Sequence, residues 1–366
     1  MGIDFSHKRW QRVKEDSRAW WAGELKRPLI QFTLGGRDPG RPEPELPSHG
    51  FTAFYDLSVP ASDIVNRWDY NLSCLRFMGD AFPACWPNFG PGVIAAFMGA
   101  VLERNKEAGT CWFYPVQDKQ IADLSLKCDP ENVWLHRIKD IYHAAIERWG
   151  GFVQVAMTDL GGNLDILSTF RPGQKLLLDL CDHPDHVKRV TWEAHHEWFK
   201  CFDQLNSILQ PVNPGYTAWA SVFSSEPSYM LQCDFCFMIG PDMFDEFVKP
   251  ELAAACKRLT NPFYHLDGPG QLPHLDSLLT IPELKGVQWV PGAGAPDMKH
   301  WPEVYRKIHD AGKLIQIHGG PDVLDTVAEQ LGSAEGIILL GSARDEAEAT
   351  ACLEKYGARL DCRPPK

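Results

Sequence analysis

The 366-residue chain has no apolar run near the about 20 residues that a membrane helix requires. It also lacks an excess of positive charge. Lys and Arg total 36 against 48 Asp and Glu, a formal net charge of -12. That balance argues against a nucleic-acid footprint and against an anionic membrane surface, although local arginines can still hold an anionic substrate. Low-complexity tracts, internal repeats and interdomain linkers are absent, so a single domain over 1–366 is expected. Met1 to Lys14 is polar and charged, with no apolar centre and no small-residue cleavage site. No signal peptide is expected there, and the cytoplasm is the expected compartment. The eleven cysteines form no even, closely spaced framework. Cys181, Cys201 and Cys256 fall in apparent core segments, which fits reduced thiols rather than disulfides. Cys233-x-x-Cys236 has redox-like spacing but no thioredoxin-like setting.

What is present is ordinary globular composition, 44% hydrophobic and 23% charged, with 13 tryptophans. Tryptophan at that level serves either large cores or sugar-stacking surfaces. Apolar residues Trp10, Val13, Trp20, Trp21 and Leu25 recur at helical spacing, predicting a helix over residues 4–27 that Pro28 ends. Pro28 to Leu34 then reads as a first strand, and Arg37 to Gly50 as a Pro/Gly-rich loop. Ser62 is placed to cap a short helix reaching Trp68. Gly79 to Gly92, with Asp80, Phe82, Trp86, Asn88 and Phe89, reads as a long ordered loop. It forms either a pocket wall or a loop packed down by its own aromatics. Pro130 to Trp149 reads as a helix.

From residue 150 onward strand and helix alternate. Strands are expected at Phe152–Met157, Tyr216–Phe223, Phe263–Leu266, Val287–Val290, Leu314–Ile317 and Gly336–Leu340, with Gln232-Cys-Asp234 after the second of these taken as a further strand end. Helices are expected at Leu164–Phe170, Pro184–Leu209 with Asp182 as cap, Pro241–Leu259, Trp301–Ala311, Val323–Leu331 and Asp345–Tyr356. Short continuous apolar strands alternating with helices imply a parallel sheet buried on both faces. About eight such strands fit a closed (β/α)8 TIM barrel with an N-terminal helical and loop extension.

Chemistry in such barrels sits at the C-terminal ends of the strands. The stretch Phe263 to Gly270 ends a strand abruptly at Gly268-Pro-Gly270. His265 and Asp267, two apart, project to one side of it. Alone, that pair is also what a capped turn with a satisfied histidine looks like. Other strand ends supply Asp159, Gln232, Asp234, Gln288 and His318, which makes a shared mouth the better account. Asp159, Asp234, His265 and Asp267 are the catalytic candidates. Arg37, Trp86, Glu226, Gln232, Gln288, Trp289 and His318 are the candidate substrate contacts. Three chemistries fit these residue types. His265 and Asp267 with Cys233 can ligate zinc, which takes imidazole, carboxylate and thiolate. Two carboxylates can act as general acid and base or nucleophile, as in a glycoside hydrolase. Carboxylates with Arg37 can hold a small polar substrate for decarboxylation or proton transfer without metal.

Several segments resemble the uroporphyrinogen decarboxylase superfamily: Thr158 to Gly162 with Leu164 to Leu167, Ile239 to Phe244 with Phe247 to Pro250, His265 to Gly268, and Gln288 to Gly292. The resemblance covers about residues 150–355, with residues 1–130 as an extension. It is strongest to the branch of methylcobamide-dependent methyltransferases that move methyl groups between a corrinoid protein and a thiol. Such a resemblance implies a (β/α)8 barrel, a site at its C-terminal mouth, a methyltransferase-like activity, zinc as cofactor and a corrinoid protein as partner. The expected partners are a small-molecule substrate and the corrinoid protein that the resemblance implies, with a second copy of the chain in a homodimer as a separate expectation. That branch carries His-x-Cys and a later Cys on zinc. Here Asp267 stands at the first cysteine position, and Leu340-Gly-Ser-Ala343 has no cysteine. Harder oxygen ligation predicts weak zinc or no cofactor at all, with the carboxylates and His265 doing the chemistry. The first strand lacks the arginine-rich signature of true porphyrin decarboxylases, so that activity is not expected.

Overall fold

The computed structural model describes residues 2–359. Eleven strands occur in it: β1 Leu29–Leu34, β2 Arg76–Gly79, β3 Ala84–Cys85, β4 Val101–Asn105, β5 Thr110–Tyr114, β6 Gln154–Val155, β7 Ser228–Gln232, β8 Asn261–Asp267, β9 Gly286–Val290, β10 Leu314–Gly319 and β11 Ile337–Gly341. Seven of them form one sheet in the order β2-β1-β11-β10-β9-β8-β7. Every neighbouring pair is parallel except β1 with β2. β3 and β6 form a separate parallel pair, and β4 and β5 an antiparallel hairpin. The molecule is therefore an α/β protein built on a parallel sheet. The continuous ladder stops at β2 and β7.

Register sorts the side chains. Gln232, His265, Gln288 and Gln316 sit side by side on neighbouring strands and so share one face. Their sequence neighbours Tyr264, Val287 and Ile315 take the other face and are buried. The polar face narrows below this row. At Gly286 an added Cβ would lie 2.1 Å from the Phe263 ring, so glycine lets that ring fill the interior.

Helices of the second half follow the sequence closely: Asn163–Phe170, Pro184–Leu209, Pro302–Asp310, Pro321–Leu331 and Glu346–Lys355. The helix from Pro241 runs as an α-turn to Met243, a π-turn over Phe244–Val248 and an α-helix over Lys249–Arg258. Pro250 has no N–H to return to Glu246, which accounts for the widened turn. A helix over Lys175–Asp182, which composition did not flag, precedes Pro184. His183 therefore takes the cap position, and no side chain caps it, Asp182 included. Among the described residues no helix is long and apolar enough to cross a membrane.

The N-terminal half departs further from expectation. The first helix spans only His7–Trp21, with Ser6 accepting the Arg9 N–H as its cap. The second runs Ala61–Ser73 and starts after Pro60, one residue before the expected cap Ser62. Gly79 to Gly92, read as loop, contains β3, and the β4–β5 hairpin was not anticipated, although its connection carries Asn105, which accepts the Ala108 N–H, and Gly109 at a φ of 63°. Tyr216 to Phe223 is not a strand. Tyr216 pairs back onto Ser224, and Ser221 adopts a φ of 55°, so the segment doubles back on itself. Arg27 sits between the first helix and β1. Its guanidinium grips Asp80 through two bonds of 2.7 and 2.8 Å and Asp16 through one of 3.0 Å. Asp80 also accepts the Ile30 N–H at 2.8 Å, which ties the loop after β2 to β1.

Candidate functional site

The sheet register explains how distant residues converge. β8 carries His265 and Asp267 on one side, and His265 Nε2 lies 4.0 Å from Asp267 Oδ2. Asp234 opens the tight turn Asp234–Met238 directly after β7, whose last residue Gln232 registers with His265. Each of Asp234, His265 and Asp267 offers one ligand atom, and these atoms lie within 4.8 Å of one another.

His265 is held from behind by a chain of amides. Its Nδ1–H donates to Gln288 Oε1. Gln288 Nε2 donates to Gln316 Oε1 at 2.9 Å, and Gln316 Nε2 to the Ala220 carbonyl at 2.6 Å. That carbonyl can only accept, so it fixes the orientation of both amides in turn. In its neutral form His265 then carries its lone pair on Nε2, facing the two carboxylates. Trp219 packs edge-on against the ring at 4.8 Å between centroids. His318 Nε2 accepts from Gln288 at 3.4 Å. Burial, with His265 close by, pushes the His318 imidazole down to about 4, so at neutral pH it stays an acceptor.

A second group of acids adjoins this one. Asp165, on the helix Asn163–Phe170, accepts the N–H of Asp234 at 3.0 Å and of Phe235 at 2.7 Å. It thereby caps the turn that presents Asp234. Gly162 permits the approach, since a Cβ there would meet Gln232 O at 2.1 Å. Asp159, in the loop after β6, is buried and accepts the Gly161 N–H at 2.8 Å. Burial foremost raises both Asp159 and Asp165 to about 7, and repulsion from Asp234 adds to it. Asp234 opens onto solvent but is hemmed by protein. Desolvation raises it, Asp267 adds to that, and His265 and Gln271 oppose it.

A cavity of about 730 Å³ opens beside Asp234. Asp165, Gln232 and Asp234 form its polar end. Trp112 and Phe113 of β5, with Ile166, Leu177, Phe235 and Met238, form its apolar wall.

Five sequence candidates fall elsewhere. Arg37 folds back toward the N-terminus, bonding the Ser73 and Gly2 carbonyls. Trp289 is fully buried on the helix-facing side of β9, against Trp301 at 5.0 Å, because it alternates with Gln288. Glu226 is exposed at the start of β7, the end opposite Asp234, since the doubled-back segment returns the chain there. Cys233 is buried, and its thiol is raised well above its ordinary value by the neighbouring Cys236 and by burial. It is outside the three-residue group, where Asp234 stands instead. Trp86 follows β3, half-buried, with its indole N–H unpartnered. Cys201 and Cys256 are buried as expected, whereas Cys181 is exposed. The sequence reading passed over Asp165, Gln316, Gln271 and Trp219. Asp165 lies inside a segment that carried the family resemblance, which was the available signal. Gln316 and Trp219 needed the register and the doubled-back segment, and Gln271 the turn after β8 that brings it against Asp234.

Fold and site together define an α/β protein with a polar centre at the ends of adjacent parallel strands. No family model matches the chain, and no curated protein matches it. Among solved structures it is similar to a methyltransferase from Methanosarcina mazei, with a TM-score of 0.58 and 13% identity over 94% of this chain and 99% of that one. At that identity the likeness is one of fold: the chain has a methyltransferase-like fold.

Proposed function

We propose that the chain is a group-transfer enzyme of methyltransferase type in the uroporphyrinogen decarboxylase superfamily, with its sheet curled into a (β/α)8 barrel. Its substrate is a small molecule in the cavity beside Asp234. The convergence of Asp234, His265 and Asp267 within 4.8 Å at the ends of β7 and β8 carries this reading. The likeness to a methyltransferase fold along 94% of this chain supports it. Ten free cysteines among the described residues fit a cytoplasmic setting.

One nitrogen and two carboxylate donors suit a divalent ion such as zinc or manganese. The orientation of His265 also fits, because metal-binding histidines donate their other N–H to a fixed acceptor, as His265 does to Gln288. Asp234, His265 and Asp267 would hold the ion, which would supply Lewis acidity toward a thiol or hydroxyl nucleophile. The amide chain keeps the His265 lone pair forward, and Asp165 keeps Asp234 in place. With no thiolate in the set, zinc should bind less firmly than in a His-Cys-Cys site. The expected methyl donor is a corrinoid protein, as the resemblance implies.

The test joins metal content with turnover. Purified protein is loaded with zinc or manganese and assayed for methyl transfer from methylcobalamin to a small thiol. Asp267→Asn keeps shape and removes charge. It should abolish transfer and weaken metal binding while leaving the thermal midpoint nearly unchanged. Full transfer by Asp267→Asn would sink the proposal.

A second reading rests on Asp159 and Asp165, raised to about 7. Carboxyls poised near neutrality serve as general acids, as an acid–base enzyme on a carbohydrate requires. A bell-shaped pH profile on aryl glycosides in metal-free protein would favour it.

A further inference from the structure

The 730 Å³ cavity is uneven in charge as well as polarity. Its only charged lining residues among those described are Asp165 and Asp234. The cations nearest in sequence are turned away. Arg171 clamps Asp179 at 2.5 and 3.0 Å, and Lys175 bonds Asp118 at 2.6 Å. Behind the floor the next ionisable groups are Asp159, His265 and Asp267. No arginine or lysine is among the main charges acting on Asp159, Asp165 or Asp234. The opposite wall is aromatic and soft. Trp112 is 54% exposed and Met238 51% exposed, although both border a cavity rather than a packed core. An anion would meet like charge without a counter-ion. A neutral apolar molecule would leave the desolvated carboxylates unanswered. A cation on an apolar body satisfies both ends, through charge-assisted contact at the floor and aromatic faces along the wall.

We propose that this cavity takes a substrate bearing a protonated or quaternary nitrogen on an apolar body, with Asp165 and Asp234 seating the cation and Trp112 covering the body. The proposal rests on the reading of this cavity as the substrate site. Asp165 stands outside the Asp234–His265–Asp267 group, so the seat does not depend on a metal being held. Asp165 faces Asp159 from the loop after β6 and Asp234 from the turn after β7, with His265 and Asp267 behind on β8.

Three probes share one body and differ in charge: 4-phenylbutylamine, 4-phenylbutan-1-ol and 4-phenylbutanoate. Calorimetric titration into the full chain, as purified and after EDTA, should rank the amine about tenfold tighter than the alcohol, with the carboxylate weakest. Asp165→Asn should bring the amine down to the alcohol and leave the alcohol unchanged. Trp112→Ala should weaken amine and alcohol alike. Equal binding of all three, or tightest binding of the carboxylate, overturns the proposal even if no variant folds. So does an amine preference that survives in both Asp165→Asn and Asp234→Asn. Methyl transfer and metal content are separate readouts, so a failure here leaves the group-transfer reading standing, and its failure leaves the ranking of the probes intact.

Discussion

Gln288 decides what His265 can do. Its amide is locked between an imidazole and a second glutamine, and the lock ends on a carbonyl that cannot donate. Gln288→Leu should free the ring to rotate and change tautomer. Divalent metal affinity should then fall by about 10–100-fold, as measured for other outer-shell partners. Unchanged affinity in a calorimetric titration would mean that the amide chain is only structural. Asp159 is a residue-scale matter of pH. Its folded value, about 7, lies above the unfolded carboxylate range near 4. The native state therefore holds a proton that the unfolded chain has released. Stability is fully present below the unfolded value and is lost as pH rises toward 7, by about 1.4 kcal/mol per pH unit. Asp159→Asn removes this group from the balance. The difference between variant and wild-type stability should rise across pH 4 to 7 in denaturant titrations and be flat above. A flat difference throughout would place Asp159 in the ordinary ionised state.

At the scale of elements, one ion cluster fastens the first helix to the β1–β2 pair. Arg27 links the first helix, β1 and the loop after β2 through Asp16 and Asp80, all largely buried. Removing one partner of such a cluster strands the other charges in a poor solvent. Arg27→Met should cost about 3–5 kcal/mol, read as a lower urea midpoint. Replacing Arg27, Asp16 and Asp80 together by apolar residues should recover much of that loss, except for the Ile30 N–H, which then has no acceptor. A loss below 1 kcal/mol for Arg27→Met would show that solvent reaches the cluster. The elements also show where pattern failed. The β4–β5 hairpin alternates buried Leu102, Cys111 and Phe113 with exposed Val101, Trp112 and Tyr114. Apolar residues on both faces conceal the two-residue period on which strand recognition depends. Of the outward-facing set, Trp112 borders the cavity.

For the whole molecule, one buried core runs from Trp20 to Ala358 and includes both the N-terminal segments and the sheet. The helix Ala61–Ser73 packs on Val133–Trp149, and the first helix carries Trp20 against Phe263 of β8. Residues before 130 are thus part of the same packing unit. Unfolding should be one transition, with aromatic and backbone circular dichroism sharing a midpoint. Two separated midpoints would show that the N-terminal segment unfolds independently.

The alternation of short apolar strands with amphipathic helices after residue 150 was enough to establish a parallel α/β sheet, because burial on both faces forces that pattern locally. The side shared by His265 and Asp267 followed from strand periodicity alone. What periodicity cannot carry is which strand lies beside which. The meeting of Asp234 with His265 depends on β7 pairing with β8, a contact between segments about 30 residues apart. The places of Arg37, Glu226 and Trp289 turned on a fold-back, a reversal and a facing choice, each made by packing rather than by the residue itself. The replacement of Cys233 by Asp234 beside His265 was decided two residues past the strand. There Asp165, from another helix, accepts the Asp234 and Phe235 N–H groups and holds the turn that sets a carboxylate beside His265 where a thiol had been expected.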